Sequence, residues 1–511
     1  MKTLFLVLLC TLIYAQPILI DGRSDDWKNI EPIYVDPPGD GVMGFDFLSV
    51  SVTSDSARLF LRLIMAEEFG LSKKNKLTLY IDGDNDASTG LSIDDMGAEL
   101  AWRFGDKDGA VFSGNDSTAI THGEIGLITL PTLTATDFEI AINRADVFTN
   151  TDPATPLQSF RFFFRDEQSE AGADRMPDGT SSISVELSDD PGPPWVTRPL
   201  AKYSAADIRI VSQNSLHDGI FVEDRAPAHS RIQQALQGDI VCFQEMWKST
   251  NKSTVAYMDS IIPLGEGKHW FTTEMEGHIN TASRFPIVGN WTLWGRSGSR
   301  IMALLVQIDE ARQILVMNSH WSCCGADKNR QLQADSTIAF LRDAYSPGGQ
   351  IDLIPNTPVV ILGDMNLVGE SQQLATLLTG DIQNEDKFGA DFAPDWDGTT
   401  LMDLYPVHVS EGVAFSWQNN GEGYSPGRLD YIVYTDFVIR AKNNFILNTR
   451  TMSEEQLEAN GLLRSDSKVA SDHLALVVDF SFDMDPKNDQ ELIPEKKGLW
   501  QSIKEIFGLN K

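Results

Sequence analysis

The chain has 511 residues and a formal net charge of −32, with 73 Asp and Glu against 41 Lys and Arg. This length is too great for one hydrophobic core and predicts about two or three domains. The negative charge argues against a protein that holds nucleic acid on a broad basic face, because such binding depends on Lys and Arg neutralising phosphates. It does not exclude a hydrolase, in which a bound metal supplies positive charge locally.

The first residues show the pattern of a cleaved export signal. A single early Lys is followed by an apolar run from Leu4 to Ala15, which predicts a signal peptide over residues 1–15 and a mature protein that is secreted, periplasmic or extracellular. A lipoprotein is the alternative because Cys10 lies within the run, although the residue before it is Leu and not a small residue. No other run approaches the roughly 18 apolar residues that cross a bilayer, so we expect no transmembrane segment.

Residues 17–188 predict an all-β sandwich. Segments such as FLSVSVTSDSARLFLRLIM and KLTLYIDGD alternate or run apolar at strand length and are separated by Gly, Asp, Asn and Ser. The loop IDGDNDASTG places Asp82, Asp84 and Asp86 at alternate positions, and hard oxygen ligands with this spacing suit Ca²⁺. A solvated acidic turn fits the same residues equally well, since the complete helix-loop-helix calcium pattern with its final Glu is absent.

Three motifs of this region resemble family 9 carbohydrate-binding modules. They are LIDGRSDDW near its start, LYIDGDNDASTG in its middle and GAEL after that loop. The resemblance implies that the partner of this domain is a sugar, such as a polysaccharide.

Proline-rich residues separate this region from a second one. The stretch 189–202 predicts a linker, because Pro and Gly cluster at its start between two regions of regular pattern. At the other end of the chain, residues 484–511 predict a tail with a short amphipathic helix that either packs back on the body or touches a membrane surface. Four apolar residues fall near one face of that helix: Leu499, Trp500, Ile503 and Phe507.

The region 203–483 contains six predicted strands that each present polar side chains at one end. The strands are IRIVSQN, DIVCFQE, ILVMNSH, PVVILGDMN, GRLDYIVYT and SDHLALVVDF, and the polar residues are Asn214, Glu245, His320, Asp364, Asn366, Asp430, Asp472 and His473. Any one of them is readily explained as a turn, cap or surface residue. Together, at the ends of such apolar strands, they indicate a shared cleft at one rim of a sheet arrangement. Because strand side chains repeat every two positions, we expect Asp364 and Asn366 to lie on one face.

The order and wording of these motifs resemble the endonuclease/exonuclease/phosphatase superfamily. SQN, FQE, NSH, GDMN, RLDYI and SDH carry the resemblance, which spans residues 205–482. It implies a four-layer α/β sandwich, in which two mostly antiparallel sheets lie face to face with helices outside. It also implies hydrolysis of a phosphate ester by an activated water.

The resemblance further implies a Mg²⁺ or Mn²⁺ ion and a role for each of the eight residues. Hard cations prefer carboxylate and amide oxygens, and the implied ligands are Asn214, Glu245 and Asp472. The implied catalytic residues are Asp364, which deprotonates the water and is held by Asn366; His473, which is aligned by Asp430 and contacts the phosphate; and His320, which assists the leaving group or the phosphate.

The sequence departs from the better known branches of this superfamily. Cys323 and Cys324 are adjacent where relatives often have a Pro, and they form either two buried thiols or a strained vicinal disulfide. Three Trp, at positions 247, 321 and 417, lie near the site motifs and either belong to the core or stack on a substrate.

Three functions remain open from these patterns. The first is a secreted, metal-dependent nuclease that acts on extracellular DNA or RNA. The second is a phosphodiesterase or phosphatase for lipid or small-molecule esters, with a sphingomyelinase-like or inositol-phosphate-like activity. The third is a catalytically silent carbohydrate-binding protein, against which the complete set of eight residues argues. Frequency within the superfamily places the nuclease first, whereas the acidic charge mildly disfavours a long polyanion and the tail mildly favours a lipid.

Overall fold

The computed structural model describes most of the chain between the predicted signal peptide and the predicted tail. The described residues are 17–41, 45–114, 116–147, 159–168, 174–187, 195–275, 278–293 and 300–484. The predicted signal peptide, the first half of the predicted linker and the predicted amphipathic helix lie outside them. Among the residues that are described, no helix is long and apolar enough to cross a membrane.

The N-terminal region consists mostly of strands. The strands are β1 (Tyr34–Val35), β2 (Phe47–Ser54), β3 (Arg58–Phe69), β4 (Leu77–Asp82), β5 (Leu91–Ile93), β6 (Met96–Ala98), β7 (Leu100–Arg103), β8 (Asp108–Ser113), β9 (Asp116–Ile120), β10 (Ile128–Leu130), β11 (Ala135–Asn143), β12 (Ser159–Asp166), β13 (Arg175–Met176) and β14 (Ile183–Glu186), with one short helix, α1 (Arg144–Val147). One antiparallel sheet has the order β1-β2-β3-β11-β10, and a second has the order β13-β12-β4-β7-β8-β9, with β14 also paired to β12. Strands β5 and β6 form a separate hairpin.

Aromatic side chains from both sheets fill one core. Phe47 and Phe138 come from the first sheet, Phe162 and Phe164 from the second, and all four are fully buried in one hydrophobic cluster. The alternation of apolar and polar residues along these strands explains this arrangement, because alternate side chains point to opposite faces of a sheet. The described part of the N-terminal region therefore agrees with the predicted all-β class.

The C-terminal region contains two six-stranded sheets and seven helices among the described residues. The strands are β15 (Ile208–Asn214), β16 (Ile240–Met246), β17 (Phe271–Met275), β18 (His278–Ser283), β19 (Ile287–Thr292), β20 (Ile301–Gln307), β21 (Gln313–His320), β22 (Val359–Asp364), β23 (Met402–Asp403), β24 (Asp430–Tyr434), β25 (Arg440–Leu447) and β26 (Ala475–Ser481). The helices are α2 (Ala226–Leu236), α3 (Asn251–Ile261), α4 (Asp327–Tyr345), α5 (Gln372–Thr379), α6 (Glu385–Phe388), α7 (Glu454–Asn460) and α8 (Asp466–Ala470). The sheet orders are β17-β18-β16-β15-β26-β25 and β19-β20-β21-β22-β24-β23. Only β15 with β16 and β21 with β22 are parallel among the pairs in these sheets.

The two sheets lie between two layers of helices. Ile210 of the first sheet and Val316 of the second belong to one buried cluster, which forms the core between them. Met258 of α3 joins a cluster on the outer face of the first sheet, and Leu341 of α4 joins a cluster on the outer face of the second. This order of helix, sheet, sheet and helix agrees with the four-layer architecture that the family resemblance implied.

The N-terminal and C-terminal regions share contacts instead of being joined only by a spacer. The Ile20 N–H donates to the Gly412 carbonyl at 2.8 Å, and Ile20 lies in the same buried cluster as the core between the C-terminal sheets. Arg58 donates to Glu411 at 2.8 Å across the boundary. Burial alone would raise the pKa of Glu411, but its hydrogen bond to His408 and the charges of His408 and Arg58 lower it to about 2.

Residues 195–202, the second half of the predicted linker, are fixed on the C-terminal region. Trp195 packs against the shared core and donates to a backbone carbonyl at 3.1 Å. The buried guanidinium of Arg209 donates to the Leu200 carbonyl at 2.6 Å and forms a two-pronged ion pair with Asp479 at 2.6 and 2.8 Å. This part of the predicted linker is therefore not a free spacer.

N-terminal residues also hold two loops of the C-terminal region, the loop that follows β22 and the loop that precedes β24. Thr132 Oγ1 donates to the carbonyls of Leu367 at 2.8 Å and Arg428 at 3.1 Å. The Thr134 N–H donates to the Gly369 carbonyl at 2.9 Å. These two loops flank the residues that were predicted to form the site.

Candidate active site

The ends of five strands bring predicted site residues to one rim of the two sheets. Strand β15 ends at Asn214, and its parallel neighbour β16 ends one residue after Glu245. Strand β21 ends at His320, and its parallel neighbour β22 ends at Asp364. Asp364 is in register with His320 on one side and, on the other, with Asp430, the first residue of the antiparallel strand β24. The strand ends therefore meet at one rim, as expected from the sequence.

The carboxylate of Asp364 lies at the centre of this group. Asn214 Nδ2 donates to Asp364 Oδ2 at 2.9 Å and thereby links the two sheets. The Nε2 atoms of His320 and His473 each lie 3.6 Å from the same oxygen, and the Asn366 N–H donates to Oδ1 at 3.0 Å. Burial raises the pKa of Asp364 to about 7, which makes this carboxylate a stronger base than an exposed Asp.

His473 is oriented by a second buried carboxylate. Its Nδ1 lies 2.7 Å from Asp430 Oδ2, which also accepts the Ser416 hydroxyl at 2.7 Å. Burial alone would lower the pKa of His473, but the carboxylates of Asp430 and Asp364 raise it. His473 is therefore a protonated hydrogen-bond donor at neutral pH. Ser416 was not predicted, since a Ser in an irregular segment has no distinguishing pattern.

His320 has the opposite protonation state. Burial, followed by the positive charge of Arg300, lowers the pKa of His320 to about 3, so its imidazole is neutral. Its Nδ1 is buried and has no hydrogen-bond partner among the residues that the structure describes. The site therefore combines a protonated imidazole, His473, with a neutral one, His320, whose lowered pKa makes it a weak base.

Glu245 is the more accessible carboxylate of the site and lies on a β-bulge. The β16–β18 register shifts between Gln244 and Met246, and Glu245 itself has φ 58°, a conformation that is uncommon for a residue with a side chain. Its Oε1 accepts Asn214 Nδ2 at 3.1 Å, and its Oε2 lies 3.2 Å from His217 Nε2.

Next to Glu245, an aromatic pair formed by His217 and Trp247 lies at the protein surface. The His217 ring stacks on Trp247 with 4.0 Å between ring centroids, and Trp247 is 46% exposed. Trp247 is therefore not a core residue. Trp321, in contrast, is fully buried.

The donor atoms of the site fit a hard divalent cation. Two overlapping sets each place one ligand atom per residue within 4.8 Å of the others: Glu245, His320 and Asp364, and Asp364, Asp430 and His473. The carboxylates of Glu245 and Asp364 suit Mg²⁺ or Mn²⁺. Asn214 directs Nδ2 to these two carboxylates, while its Oδ1 accepts the Leu216 N–H at 2.9 Å. A role of Asn214 as a metal ligand requires the amide to be turned over and stays a prediction. Asp430 Oδ1 is buried without a hydrogen-bond partner in the described ranges.

Asp472 lies beside this group and in neither set. Trp417 Nε1 donates to Asp472 Oδ2 at 3.1 Å, while Oδ1 is buried without a hydrogen bond from any described residue. A role of Asp472 as a metal ligand stays a prediction.

Asn366 reaches Asp364 by a route that differs from the expected one. Strand β22 ends at Asp364, and Asn366 has φ 47°, so the strand alternation that was expected to align the two side chains ends before Asn366. Its backbone N–H holds Asp364, and its Nδ2 donates to the Trp321 carbonyl at 3.2 Å. The expectation that strand alternation places the two side chains on one face was therefore wrong, although the two residues are in contact.

Cys323 and Cys324 are two free thiols close to the site. Both are exposed, so the expectation that the two thiols are buried was wrong. Their Sγ atoms are 2.7 Å apart. The buried side chain of Arg330 donates to the carbonyls of Ser322 and Cys324 at 2.9 Å each and so fixes the turn.

The predicted calcium loop gathers a different set of ligands from the expected one. Asp82, Asp84 and Glu99 each place a carboxylate oxygen within 4.8 Å of the others. Asp86 is not in this set, because its Oδ1 accepts the Ser88 N–H at 2.9 Å at the exposed tip of the loop. Calcium binding by this loop stays a prediction, with Glu99 in the place of Asp86.

A comparison with solved structures found matches that cover about half of this chain. TDP2 of D. rerio, complexed with a single-strand DNA product, is 14% identical, with a TM-score of 0.36, over 54% of this chain and 99% of that chain. ANGEL2, a 2′,3′-cyclic phosphatase in complex with adenosine-2′,3′-vanadate, is 15% identical, with a TM-score of 0.39, over 56% and 99%. The catalytic domain of human Nocturnin with a bound sulfate anion is 17% identical, with a TM-score of 0.33, over 55% and 97%.

A comparison of the sequence with curated proteins gave no match. The model of the Endonuclease/Exonuclease/phosphatase family matches residues 211–473, which is just over half of the 511 residues. The matched stretch contains the strand-end residues described above, from Asn214 to His473. The chain therefore belongs to the endonuclease/exonuclease/phosphatase family.

Proposed function

We propose that the C-terminal region is a metal-dependent phosphoester hydrolase and that its substrate is a nucleic acid. The observation that carries the hydrolase proposal is the buried Asp364 carboxylate, with one protonated and one neutral imidazole 3.6 Å from the same oxygen. A base with a raised pKa next to a positively charged donor is the arrangement needed to activate water and to bind a phosphate at the same time.

Each side chain of the site has a proposed role in hydrolysis. Asp364, held by Asn214 and the Asn366 N–H, accepts the proton of the attacking water. His473, kept protonated by Asp430, donates hydrogen bonds to the non-bridging phosphate oxygens. Glu245, with Asn214 and Asp472, would hold Mg²⁺ or Mn²⁺, which would supply positive charge for the phosphate oxygens and the leaving group.

The exposed pair of His217 and Trp247 supports a nucleic-acid substrate. The pair adjoins Glu245 through His217 Nε2 at 3.2 Å and presents the Trp247 ring to solvent. Bases stack on such aromatic side chains with about 1–3 kcal/mol each, irrespective of sequence. Because the overall charge is −32, stacking and the metal, instead of a broad basic surface, would provide the affinity.

Export from the cytoplasm is part of the same proposal, since the pattern of residues 1–15 predicts it. An extracellular nuclease would be found in the periplasm or the medium when the full-length gene is expressed. Recovery only from the cytoplasm would contradict export without affecting the proposed chemistry.

Side-by-side hydrolysis assays test the activity. Purified protein with Mg²⁺ or Mn²⁺ is incubated with plasmid DNA, RNA, sphingomyelin and bis-p-nitrophenyl phosphate, with Asp364→Ala as the inactive control. Cleavage of DNA or RNA that is absent in the variant supports the nuclease. Cleavage of sphingomyelin or the small diester alone would refute the nuclease and support the lipid or small-molecule esterase. Failure of all four substrates, with a monoester tested next, would refute the diesterase.

A substitution of Trp247 tests whether the aromatic pair stacks on bases. Trp247→Ala should reduce cleavage of DNA by about tenfold and that of bis-p-nitrophenyl phosphate much less, because the small diester has no base to stack. Phe437→Ala is the matched control, since Phe437 is also exposed, at 48%, and follows β24 at the end away from Asp430. Equal effects of Trp247→Ala on both substrates would contradict stacking.

A further inference from the structure

A second acidic cluster lies where the edges of the two N-terminal sheets meet. Asp36 directly follows β1, the edge strand of the first sheet, and Asp174 directly precedes β13, the edge strand of the second. Asp40 lies in the connection between β1 and β2. One carboxylate oxygen of each lies within 4.8 Å of those of the other two. The sequence shows no motif here, because the three residues are 138 positions apart at their extremes, from 36 to 174.

The carboxylate of Asp36 is buried, and no described residue donates a hydrogen bond to it. Asp36 is 2% exposed, and neither of its carboxylate oxygens has a hydrogen-bond partner within the described ranges. Buried polar atoms are almost always hydrogen-bonded, and a buried carboxylate without a partner is costly. Elsewhere in this chain the equally buried Asp479 is paired through both oxygens with Arg209.

The surroundings of Asp36 add negative charge. After burial, the groups that most raise the pKa of Asp36 are the carboxylates of Asp174, Asp178, Asp40 and Asp46. Asp174 is itself buried, and its two oxygens accept the backbone N–H groups of neighbouring residues, including Phe47 of β2 at 2.6 Å. A group of carboxylates that surrounds an unpartnered buried oxygen pair is complementary to a cation.

We propose that Asp36, Asp40 and Asp174 bind a Ca²⁺ ion that ties the edges of the two N-terminal sheets together. Ca²⁺ takes six to eight oxygen ligands at about 2.3–2.6 Å in flexible geometry, so oxygens within about 5 Å of one another can share one ion. Mg²⁺ requires a compact octahedron and retains most of its waters. Asp40 is exposed and gives the ion access from solvent, while Asp46 and Asp178 extend the acidic surroundings. This site is separate from the catalytic rim and from the loop of Asp82.

The test measures Ca²⁺ binding and stability in the full-length protein. After removal of metals with a chelator and dialysis against Ca²⁺, bound Ca²⁺ per chain is determined by elemental analysis, and Tm is measured with Ca²⁺, with Mg²⁺ and without either. Asp36→Asn keeps the shape of the side chain and removes its charge. We expect this variant to bind one Ca²⁺ fewer than the wild type and to lose the part of the Tm increase that is specific for Ca²⁺.

Two further variants separate this site from the others. Asp40→Asn changes an exposed residue, so it should fold even if Asp36→Asn does not, and it should weaken Ca²⁺ binding by about tenfold. Asp82→Asn, in the predicted calcium loop, should leave the Asp36 site intact. The proposal is overturned if Asp36→Asn and Asp40→Asn bind as much Ca²⁺ as the wild type with the same affinity, or if Mg²⁺ raises Tm as much as Ca²⁺ does. Neither readout depends on hydrolysis, so failure here is distinct from failure of the proposed function.

Discussion

Replacement of Asp430 with Asn removes the charge that orients His473 and keeps the shape of the side chain. The two groups are 2.7 Å apart and are 1% and 6% exposed, so water screens their interaction little. Two unit charges 4 Å apart interact by about 4 kcal/mol at an effective dielectric constant of about 20. A loss of about 3–5 kcal/mol in the transition state lowers kcat by about 10²–10⁴-fold, since about 1.4 kcal/mol corresponds to a factor of ten.

The assay is hydrolysis of bis-p-nitrophenyl phosphate at saturating Mg²⁺ or Mn²⁺, with kcat and KM determined separately. Asp479→Asn is the matched control, because it also removes a buried, paired carboxylate, but one at the other end of β26 from His473. It should lower stability and leave the kcat of the folded protein nearly unchanged. If Asp430→Asn kept kcat within about threefold of the wild type, the assignment of His473 as a positively charged donor would be refuted.

Three further predictions concern stability and the thiols. Arg209→Met should lower the free energy of unfolding by about 3–5 kcal/mol in urea titrations, because it leaves the buried Asp479 carboxylate without its ion pair and with only the Tyr203 N–H as a donor; a change below about 1 kcal/mol would contradict this. Glu411→Gln should cost about 2–3 kcal/mol at neutral pH, since a carboxylate whose pKa is lowered on folding to about 2 stabilises the protein above its ordinary pKa of about 4.5. This stabilising contribution of Glu411 should diminish as the pH falls from about 4.5 towards 2. A difference in the free energy of unfolding between variant and wild type that did not change with pH would contradict this prediction. Finally, a thiol reagent should modify two Cys in the native mature protein and reach Cys242, which is buried, only after unfolding.

The strand-end residues of the site could be predicted because the strands themselves are unambiguous. PVVILGD and DIVCFQE are so apolar that they are predicted to be interior strands. A polar residue at the end of such a strand is therefore expected to lie at the rim of the sheet. The parallel pairs β15 with β16 and β21 with β22 place Asn214 beside Glu245 and His320 beside Asp364. The face-to-face packing of the two sheets brings these two pairs together, and only the family resemblance implied that packing.

The parts of the site that escaped prediction depend on local backbone conformation or on contacts distant in sequence. Asn366 and Glu245 have positive φ, which no property of Asn or Glu in a strand-like segment indicates. Ser416 reaches Asp430 from an irregular segment. In the separate acidic loop of the N-terminal region, Glu99, which follows the loop, joins Asp82 and Asp84 in place of Asp86. Such pairings are set by the packing of whole sheets and leave no short motif.

The hydrogen bonds from Thr132 and Thr134 to the carbonyls of Leu367, Gly369 and Arg428 have a consequence for how this protein can be divided and recombined. A fragment that began at the catalytic half would lose the donors that these carbonyls use, so the two loops beside Asp364 and Asp430 would have to find new ones. Replacement of the N-terminal region would therefore leave these two loops without their donors unless both threonines, or equivalent donors, came with it. In that sense the two regions form one structural unit.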